Sequence, residues 1–234
     1  MKRKIVWIIA ACFCLLFSTG EACKKQNMMN ANKNNSYTYL ALGDSYTIGE
    51  SVAENQRFPA QTSALLQKEN ININSIKYIA KTGWTTIDLQ NAINAQNLHQ
   101  TFDIVSLLIG VNDQYQGMDS SEYRIRFTQL LQKSIQLASN KLSHVFVLSI
   151  PDYSVTPFAA NSDTVRIRRE IDEFNFINKQ ITLSYNISYI NITPLTKNMK
   201  NDASLIASDG LHPSAKEYAN WALLLSPVMK QILQ

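Results

Sequence analysis

The sequence predicts an α/β fold in which a mostly parallel sheet lies between helices. Segments with the pattern of strands alternate with segments of helical periodicity from residue 37 to the end of the chain, and this order is typical of parallel sheets. The run 103–109 is almost continuously apolar, as in strands buried on both faces. Six of the seven glycines lie in or beside turns that follow predicted strands, which indicates a site at that edge of the sheet.

The amino terminus has the organisation of a bacterial export signal, which we assign to residues 1–22. Three basic residues precede the apolar stretch 5–17, and small residues follow up to Ala22. The apolar stretch is shorter than the roughly 20 residues that cross a bilayer. Cleavage is therefore favoured over a retained membrane anchor.

Cys23 follows the predicted signal directly and is the only cysteine outside it. It resembles the lipid-acceptor cysteine of bacterial lipoproteins. Cleavage after Ala22 without lipidation, which gives a soluble exported protein, is the alternative. Residues 23–36 are polar and asparagine-rich, so they predict a flexible tether before a domain at 37–234.

Composition is that of one globular domain without a nucleic-acid surface. The chain has 234 residues, of which 45% are hydrophobic and 17% charged. Its formal charge is +4, but residues 23–234 carry only 19 basic against 17 acidic side chains. This scattered excess excludes a basic binding stripe. A single cysteine in the mature chain excludes stabilisation by internal disulfides.

The first half of the domain contains three predicted strands. Residues 39–43 are apolar and end at a glycine, 71–80 alternate and are rich in β-branched residues, and 103–109 form the apolar run. Pro59 begins a helix over 59–69. Thr85 and Thr86 cap a helix through residue 97, and Asp119 with Glu122 has capping-box spacing for a helix over 121–140.

The second half continues the alternation. Residues 145–150 predict a fourth strand, 164–185 a helix with one apolar stripe, and 188–192 a short last strand. Ser214 and Glu217 form a predicted capping box for the final helix. The loop 151–162 is rich in tyrosine, proline and phenylalanine, and its length suggests part of a binding rim.

Ser45 follows the first strand directly, at the edge where open α/β sheets bind their ligands. Gly43 and Gly49 bracket it, and the residues between them predict a short helical turn with amides directed at Ser45. Glycine, aspartate and serine are also common turn formers, so an ordinary loop is the alternative. Asp44 is expected to brace the turn through backbone hydrogen bonds rather than to act in catalysis.

His212 is the histidine best placed for catalysis. It lies three residues after Asp209 in a turn that contains Gly210 and Pro213, so the aspartate can reach Nδ1 while Nε2 faces outward. His99 and His144 fit surface or packing roles. With Ser45, this turn supplies a nucleophile, a base and an orienting acid for acyl transfer.

Four blocks together resemble the SGNH, or GDSL-type, hydrolases, and they occur in that family's order: Gly43-Asp44-Ser45, Gly83, Gly110-Val111-Asn112-Asp113 and Asp209-Gly210-Leu211-His212-Pro213. The resemblance covers nearly all of 37–234. It implies a flavodoxin-like three-layer α/β/α sandwich with a sheet of about five strands. It also implies ester hydrolysis without a metal ion or an organic cofactor.

The resemblance assigns a role to each matching residue. Ser45 is the nucleophile, His212 the general base and then general acid, and Asp209 the residue that orients His212. The backbone amides of Ser45 and Gly83 and the side-chain amide of Asn112 form the oxyanion hole. A capping or turn role is the alternative for Asn112.

Aromatic residues near these blocks are candidate substrate contacts. Tyr46 stands where many family members have leucine. Trp84, Tyr115, Tyr153 and Phe158 are candidates for an aromatic surface that binds an acyl group or a sugar, and each also fits an ordinary core or rim position.

The function predicted is that of an exported serine esterase, lipid-anchored through Cys23 in the cell envelope or otherwise periplasmic or secreted. It hydrolyses carboxylic esters through an acyl-enzyme on Ser45, in the manner of lysophospholipases and arylesterases. A carbohydrate O-acetyl esterase and a catalytically inactive binding lipoprotein are the alternatives. The expected partners are a small-molecule, lipid or sugar ester and, through the anchor, a membrane.

Overall fold

The structure is a computed structural model that describes residues 36–234. The export signal, Cys23 and the tether up to residue 35 lie outside the described residues. The expectations placed on them therefore stay predictions.

Five parallel strands form one sheet in the order β2-β1-β3-β4-β5. They are β1 (Ser36–Gly43), β2 (Asn72–Ala80), β3 (Ile104–Leu108), β4 (Val145–Leu148) and β5 (Ser188–Ile190). Gly43 pairs with Ala80 on one side and with Leu108 on the other. Strands β2, β1 and β3 therefore end level, and the turns that follow them meet at one edge of the sheet.

The described residues form eight α-helices on the two faces of this sheet. They are α1 (Ser45–Ile48), α2 (Phe58–Lys68), α3 (Thr86–Ala95), α4 (Val111–Tyr115), α5 (Ser120–Leu137), α6 (Thr164–Ser184), α7 (Thr193–Lys197) and α8 (Ala215–Leu233). Helix α2 packs on α8, whereas α5 packs on both α3 and α6. Right-handed crossovers place these two groups on opposite faces, which confirms the α/β sandwich. Within residues 36–234, none of the helices has both the length and the apolar character needed to cross a membrane.

The amino-terminal ends of two helices differ from the capping boxes that the sequence predicted. The predicted capping boxes at Asp119 and Ser214 form only in part, since each residue accepts a hydrogen bond from a first-turn amide. Their glutamates have other partners: Glu122 pairs with Arg126, and Glu217 accepts from the indole of Trp221. The Ser214 amide donates instead to the carbonyl oxygen of Leu205, so both partners in the second predicted box are engaged elsewhere.

Two five-residue helices, α4 and α7, were not predicted. Both are too short to show helical periodicity. Helix α5 ends at Leu137, three residues before its predicted end, because Ser139 and Asn140 adopt left-handed conformations with φ of 56° and 61°.

Candidate active site

The turn after β1 places Ser45 at the first position of α1, where its side chain is only 4% exposed. Gly43 is required for this turn. A Cβ atom at residue 43 would lie 2.2 Å from Thr47 Oγ1 and 2.4 Å from the carbonyl oxygen of Leu108, closer than packed atoms approach. The turn after β1 therefore lies directly against the end of β3.

Asp44 caps α1 from a completely buried position. Its Oδ1 accepts a hydrogen bond from the amide of Tyr46 at 3.0 Å, and its Oδ2 has no hydrogen-bond partner among the described residues. Burial raises the pKa of this carboxyl to about 8, helped by the charge of Asp113 and opposed by the Tyr46 amide. Asp44 therefore braces the turn as expected, largely as a neutral acid at pH 7.

His212 and Asp209 form a hydrogen-bonded pair in the turn before α8. Asp209 Oδ2 lies 2.7 Å from His212 Nδ1, and Asp209 Oδ1 accepts from the amides of Leu211 and His212 at 2.9 Å each. The imidazole is 6% exposed. With Nδ1 engaged by the carboxylate, Nε2 is the ring nitrogen left for proton transfer.

A fourth hydrogen bond to Asp209 comes from Ser51, whose hydroxyl donates to Oδ2 at 2.6 Å. Burial by itself would raise the pKa of Asp209, but the hydrogen bonds from Ser51, from two backbone amides and from His212 outweigh it and lower the pKa. Asp209 is therefore ionised at all pH values at which the protein is expected to work.

The predicted oxyanion donors come from three turns. Gly83 has a φ of +82°, which glycine adopts without strain. In the described structure, neither its amide nor that of Ser45 donates to another protein group. The Asn112 side-chain nitrogen donates one hydrogen to the Trp84 carbonyl oxygen at 2.9 Å. Its second hydrogen remains for a ligand.

The turns after β2 and β3 are tied together below these donors. Asp113, which is fully buried, accepts from the Thr86 amide at 3.0 Å and from the Thr86 hydroxyl at 2.5 Å. Burial raises the pKa of Asp113 against these hydrogen bonds. Together with the bond between Asn112 and Trp84, this contact fixes the relative position of Gly83 and Asn112.

One cavity of about 150 Å³ brings the predicted reacting groups together, since Ser45, Gly83, Asn112 and His212 all line it. Ser45 and His212 are not hydrogen-bonded to each other within the described residues. Such contacts are often long in unliganded enzymes and shorten when substrate binds. The cavity can therefore hold one ester carbonyl among a hydroxyl, an imidazole and amide donors.

Four of the five aromatic candidates line this cavity: Tyr46, Tyr115, Tyr153 and Phe158. Tyr115 and Phe158 are 60% and 48% exposed, and their ring centroids are 6.1 Å apart. Tyr46 is buried, with its ring centroid 5.0 Å from that of His212.

Trp84 does not line the cavity, and of the two roles that the sequence left open it takes the core position. Its side chain is partly buried against the hydrophobic core. Trp84 instead contributes its backbone carbonyl, which holds Asn112. The indole lies against the core because packing there buries more of its apolar surface.

Sequence reasoning did not single out Glu50, Ser51 or Thr82. Ser51 bonds to Asp209, Glu50 accepts a hydrogen bond from the Thr82 hydroxyl, and Thr82 lines the cavity. Polar residues in a turn carry no periodic signal, and their partners lie far away in the chain. Only the three-dimensional structure identifies these contacts.

The two other histidines lie outside the cavity lining. His144 Nδ1 is 2.6 Å from the carbonyl oxygen of Asp103, and His99 contacts the side chain of Asn97. Among residues 36–234, no group of three or more histidine, cysteine, aspartate and glutamate side chains is arranged to hold a metal ion.

A parallel α/β sandwich with a serine, a histidine–aspartate pair and amide donors at one sheet edge has the architecture of a serine hydrolase. The sequence matches the model of the GDSL-like lipase/acylhydrolase family over residues 41–219. The chain belongs to this family and is an ester-hydrolysing serine hydrolase, as the sequence motifs predicted. Comparison with curated protein sequences gave no match.

Solved structures share the fold along nearly their whole length. The lipase Lip_vut3 from a goat rumen metagenome has a TM-score of 0.68 and 21% identity, covering 84% of this chain and 99% of that one. The esterase EstA from Pseudoalteromonas sp. has a TM-score of 0.63 and 18% identity, covering 84% and 98%. A single-residue variant of the acetyl xylan esterase Axe2 from Geobacillus stearothermophilus has a TM-score of 0.59 and 20% identity, covering 84% and 94%.

Proposed function

We propose that this protein hydrolyses carboxylic esters through an acyl-enzyme formed on Ser45. The observation that carries the proposal is the single cavity lined by Ser45, Gly83, Asn112 and His212, with Asp209 bonded to the far side of the imidazole. These groups supply every function that acyl transfer requires.

The reaction proceeds in two halves. Ser45 Oγ attacks the ester carbonyl while its proton passes to His212 Nε2, and the oxyanion accepts hydrogen bonds from Ser45, Gly83 and Asn112. The bond to the alcohol then breaks, and His212 returns the proton to the leaving oxygen. A water molecule repeats the sequence on the acyl-enzyme, giving the carboxylic acid and free Ser45.

Labelling with a fluorophosphonate probe tests this assignment. We expect covalent modification of the wild-type protein and none of Ser45→Ala. Ser134→Ala is a matched control, since Ser134 is also buried but bonds to the carbonyl of Leu130 within α5. EstA, which shares this fold, was crystallised after inhibition by monoethylphosphonate. An unlabelled wild-type protein would favour the alternative of an inactive binding lipoprotein.

The cavity volume favours short acyl groups. A cavity of about 150 Å³ holds one benzene molecule in another protein, so a short acyl group fits in the space beside Ser45. In a p-nitrophenyl ester series we expect kcat/KM to be highest for acetate to hexanoate and to fall for decanoate. The same preference disfavours lysophospholipids, and equal activity on long-chain lysophospholipid would contradict it.

A specific observation favours a carbohydrate O-acetyl esterase as the second candidate. A larger cavity of about 450 Å³ shares Tyr115 and Tyr153 with the first, and charged side chains such as Arg166, Glu170 and Glu173 line it. With an acetyl group beside Ser45, a hydroxyl-rich alcohol fits this polar space. Axe2, a structural neighbour, is described as an acetyl xylan esterase.

Two substrates distinguish the candidates. Arg166→Gln and Glu173→Gln should raise KM several-fold for acetylated xylo-oligosaccharides and leave KM for p-nitrophenyl acetate unchanged, since only the sugar reaches the larger cavity. Unchanged KM for both substrates would leave the simple esterase as the function.

We also propose, as the sequence predicts, that the protein is exported and anchored to a membrane by a lipid on Cys23. The support is the pattern of residues 1–23 alone. Intact-mass measurement of protein from membrane fractions should show a lipidated amino-terminal cysteine, and Cys23→Ala should release the protein into the soluble fraction. An unmodified chain that begins at Cys23 would instead indicate a periplasmic or secreted enzyme.

A further inference from the structure

Two adjacent side chains after the nucleophile helix reach the other two turns of the site. Glu50 accepts a hydrogen bond from the hydroxyl of Thr82, and Ser51 donates one to Asp209. Thr82 precedes Gly83, and Asp209 orients His212. We refer to Glu50 and Ser51 as the brace.

We propose that Glu50 and Ser51, the brace, are positioning residues. Ser51 holds Asp209, the partner of the His212 imidazole, and Glu50 holds the loop that carries the Gly83 amide, so that both are correctly placed relative to Ser45. This inference rests on the proposed esterase function. Neither side chain lines the cavity, so each acts through another residue.

Ser51 acts on the carboxylate that orients the base. Its hydroxyl and His212 Nδ1 approach the same oxygen of Asp209, at 2.6 and 2.7 Å. The Asp209 side chain is 29% exposed, so water competes with the protein donors for its oxygens. Together with the two backbone amides on Oδ1, the charge-assisted hydrogen bond from Ser51 to Oδ2 holds the carboxylate in the orientation that keeps Nε2 toward the cavity.

Ser51 makes this contact from a conformation that side chains rarely adopt. Its φ is +64°, and Gly49, two residues earlier, has a φ of +67°. Glycine adopts such values without steric penalty, whereas serine does not. Ser51→Gly therefore removes the hydroxyl contact and relieves the backbone strain at the same time, so a loss of activity in this variant would not reflect a loss of stability.

Glu50 acts on the loop that presents the Gly83 amide. An added Cβ atom at Gly83 would find no atom within 4 Å, so the space on that side of residue 83 is open. Its neighbours are held, Trp84 through Asn112 and Thr82 through Glu50. Loss of the Glu50 contact frees one side of the oxyanion loop.

Ser51→Gly is the decisive variant. We expect kcat for p-nitrophenyl acetate to fall about tenfold, with KM within twofold and a thermal midpoint no lower than that of the wild type. Ser51→Asn, which tolerates this conformation and keeps a donor, should recover part of the loss. Ser139→Gly is the matched control: Ser139 is also exposed, has a φ of +56° and donates to Thr101 at 2.7 Å, outside the cavity.

Glu50 provides an independent measurement. Glu50→Ala should lower kcat, whereas Glu50→Gln keeps an acceptor oxygen for Thr82 and should retain most of the wild-type rate. Full activity in Ser51→Gly and Glu50→Ala, as in Ser139→Gly, would overturn the proposal. This outcome differs from failure of the esterase assignment, in which the wild-type protein itself neither turns over esters nor reacts with fluorophosphonate.

Discussion

Two aspartates lie beside the reacting groups, in two turns at the same sheet edge, and their environments are opposite. Asp44, next to Ser45, is fully buried, and its pKa is raised to about 8. Asp209, three residues before His212, lies at the surface and accepts four hydrogen bonds, which lower its pKa. One is largely neutral at pH 7 and the other is ionised.

Of the two aspartates, the one closer in sequence to Ser45 is therefore not the one placed to partner the proposed base, His212. Stabilising an imidazolium ion requires a negative charge in contact with the ring. Only Asp209 both carries a negative charge and contacts the ring. Asp44 is largely neutral, and its Oδ1 accepts a hydrogen bond from the backbone amide of Tyr46. Burial has turned the aspartate nearest to the nucleophile into a structural cap.

The largest expected effect tests the base itself. His212→Ala should lower kcat by about 10⁶, because Ser45 then has no group to take its proton. Asp44 cannot replace the base if the comparison is correct. Steady-state kinetics with p-nitrophenyl acetate measure the loss, and residual activity that titrates near pH 8 would indicate that Asp44 acts as a base.

The second test exchanges each aspartate for asparagine. Asp209→Asn should lower kcat by about 10² to 10⁴, because the amide removes the charge that stabilises the imidazolium ion. Asp44→Asn preserves an acceptor for the Tyr46 amide and should change kcat by less than about threefold. Equal losses in the two variants, in proteins of equal thermal stability, would break the comparison.

A third test extends the contrast to Asn112 and Asp113, neighbours that face the cavity and the interior respectively. Asn112→Ala should lower kcat by about 10² to 10³ with little change in KM, as for loss of one oxyanion donor. Asp113→Asn should mainly lower stability, because Thr86 loses a carboxylate acceptor. Unchanged turnover in Asn112→Ala would reject the donor role.

The last test concerns stability as a function of pH instead of turnover. The pKa of Asp44 is raised from 3.8 to about 8, so the folded state retains a proton that the unfolded state has lost. This contribution to stability is complete below pH 4 and is lost as pH rises toward 8, by at most about 1.4 kcal/mol per pH unit.

Urea unfolding between pH 5 and 8 should therefore show a steeper decline for the wild type than for Asp44→Asn. Asp113, whose pKa is also raised, contributes to the slope in both proteins. The lowered pKa of Asp209 acts only at more acidic pH. Identical slopes in the two proteins would mean that Asp44 is ionised in the folded state.

Most of the fold was predictable from local patterns. Alternating strand and helix segments, and glycines at strand ends, defined the parallel sandwich and the edge at which Ser45, Gly83, Asn112 and His212 now meet. These features act over a few residues each. The catalytic roles of the four residues stay predictions until the variants are measured.

The unpredicted features depend on distant contacts. Ser51 and Asp209 are 158 positions apart, and nothing in either segment indicates the other. The side chain of Trp84 packs against the core, and the Glu217 carboxylate accepts a hydrogen bond from the buried Trp221 indole instead of from the amide of its N-cap residue. In both cases a buried partner determines the position of the side chain more than its spacing in the sequence does. Such choices are settled by tertiary packing, which short sequence windows do not contain.

The direction of β1 has a practical consequence. The strand enters the sheet at Ser36 and reaches the cavity only after eight residues, or about 25 Å. The last helix returns to the same remote edge, where Tyr37 bonds to the carbonyl of Leu233 at 2.7 Å. Both ends of the described domain thus leave from the side opposite the cavity mouth, and a tag, a fusion partner or a solid support joined there leaves that mouth unobstructed.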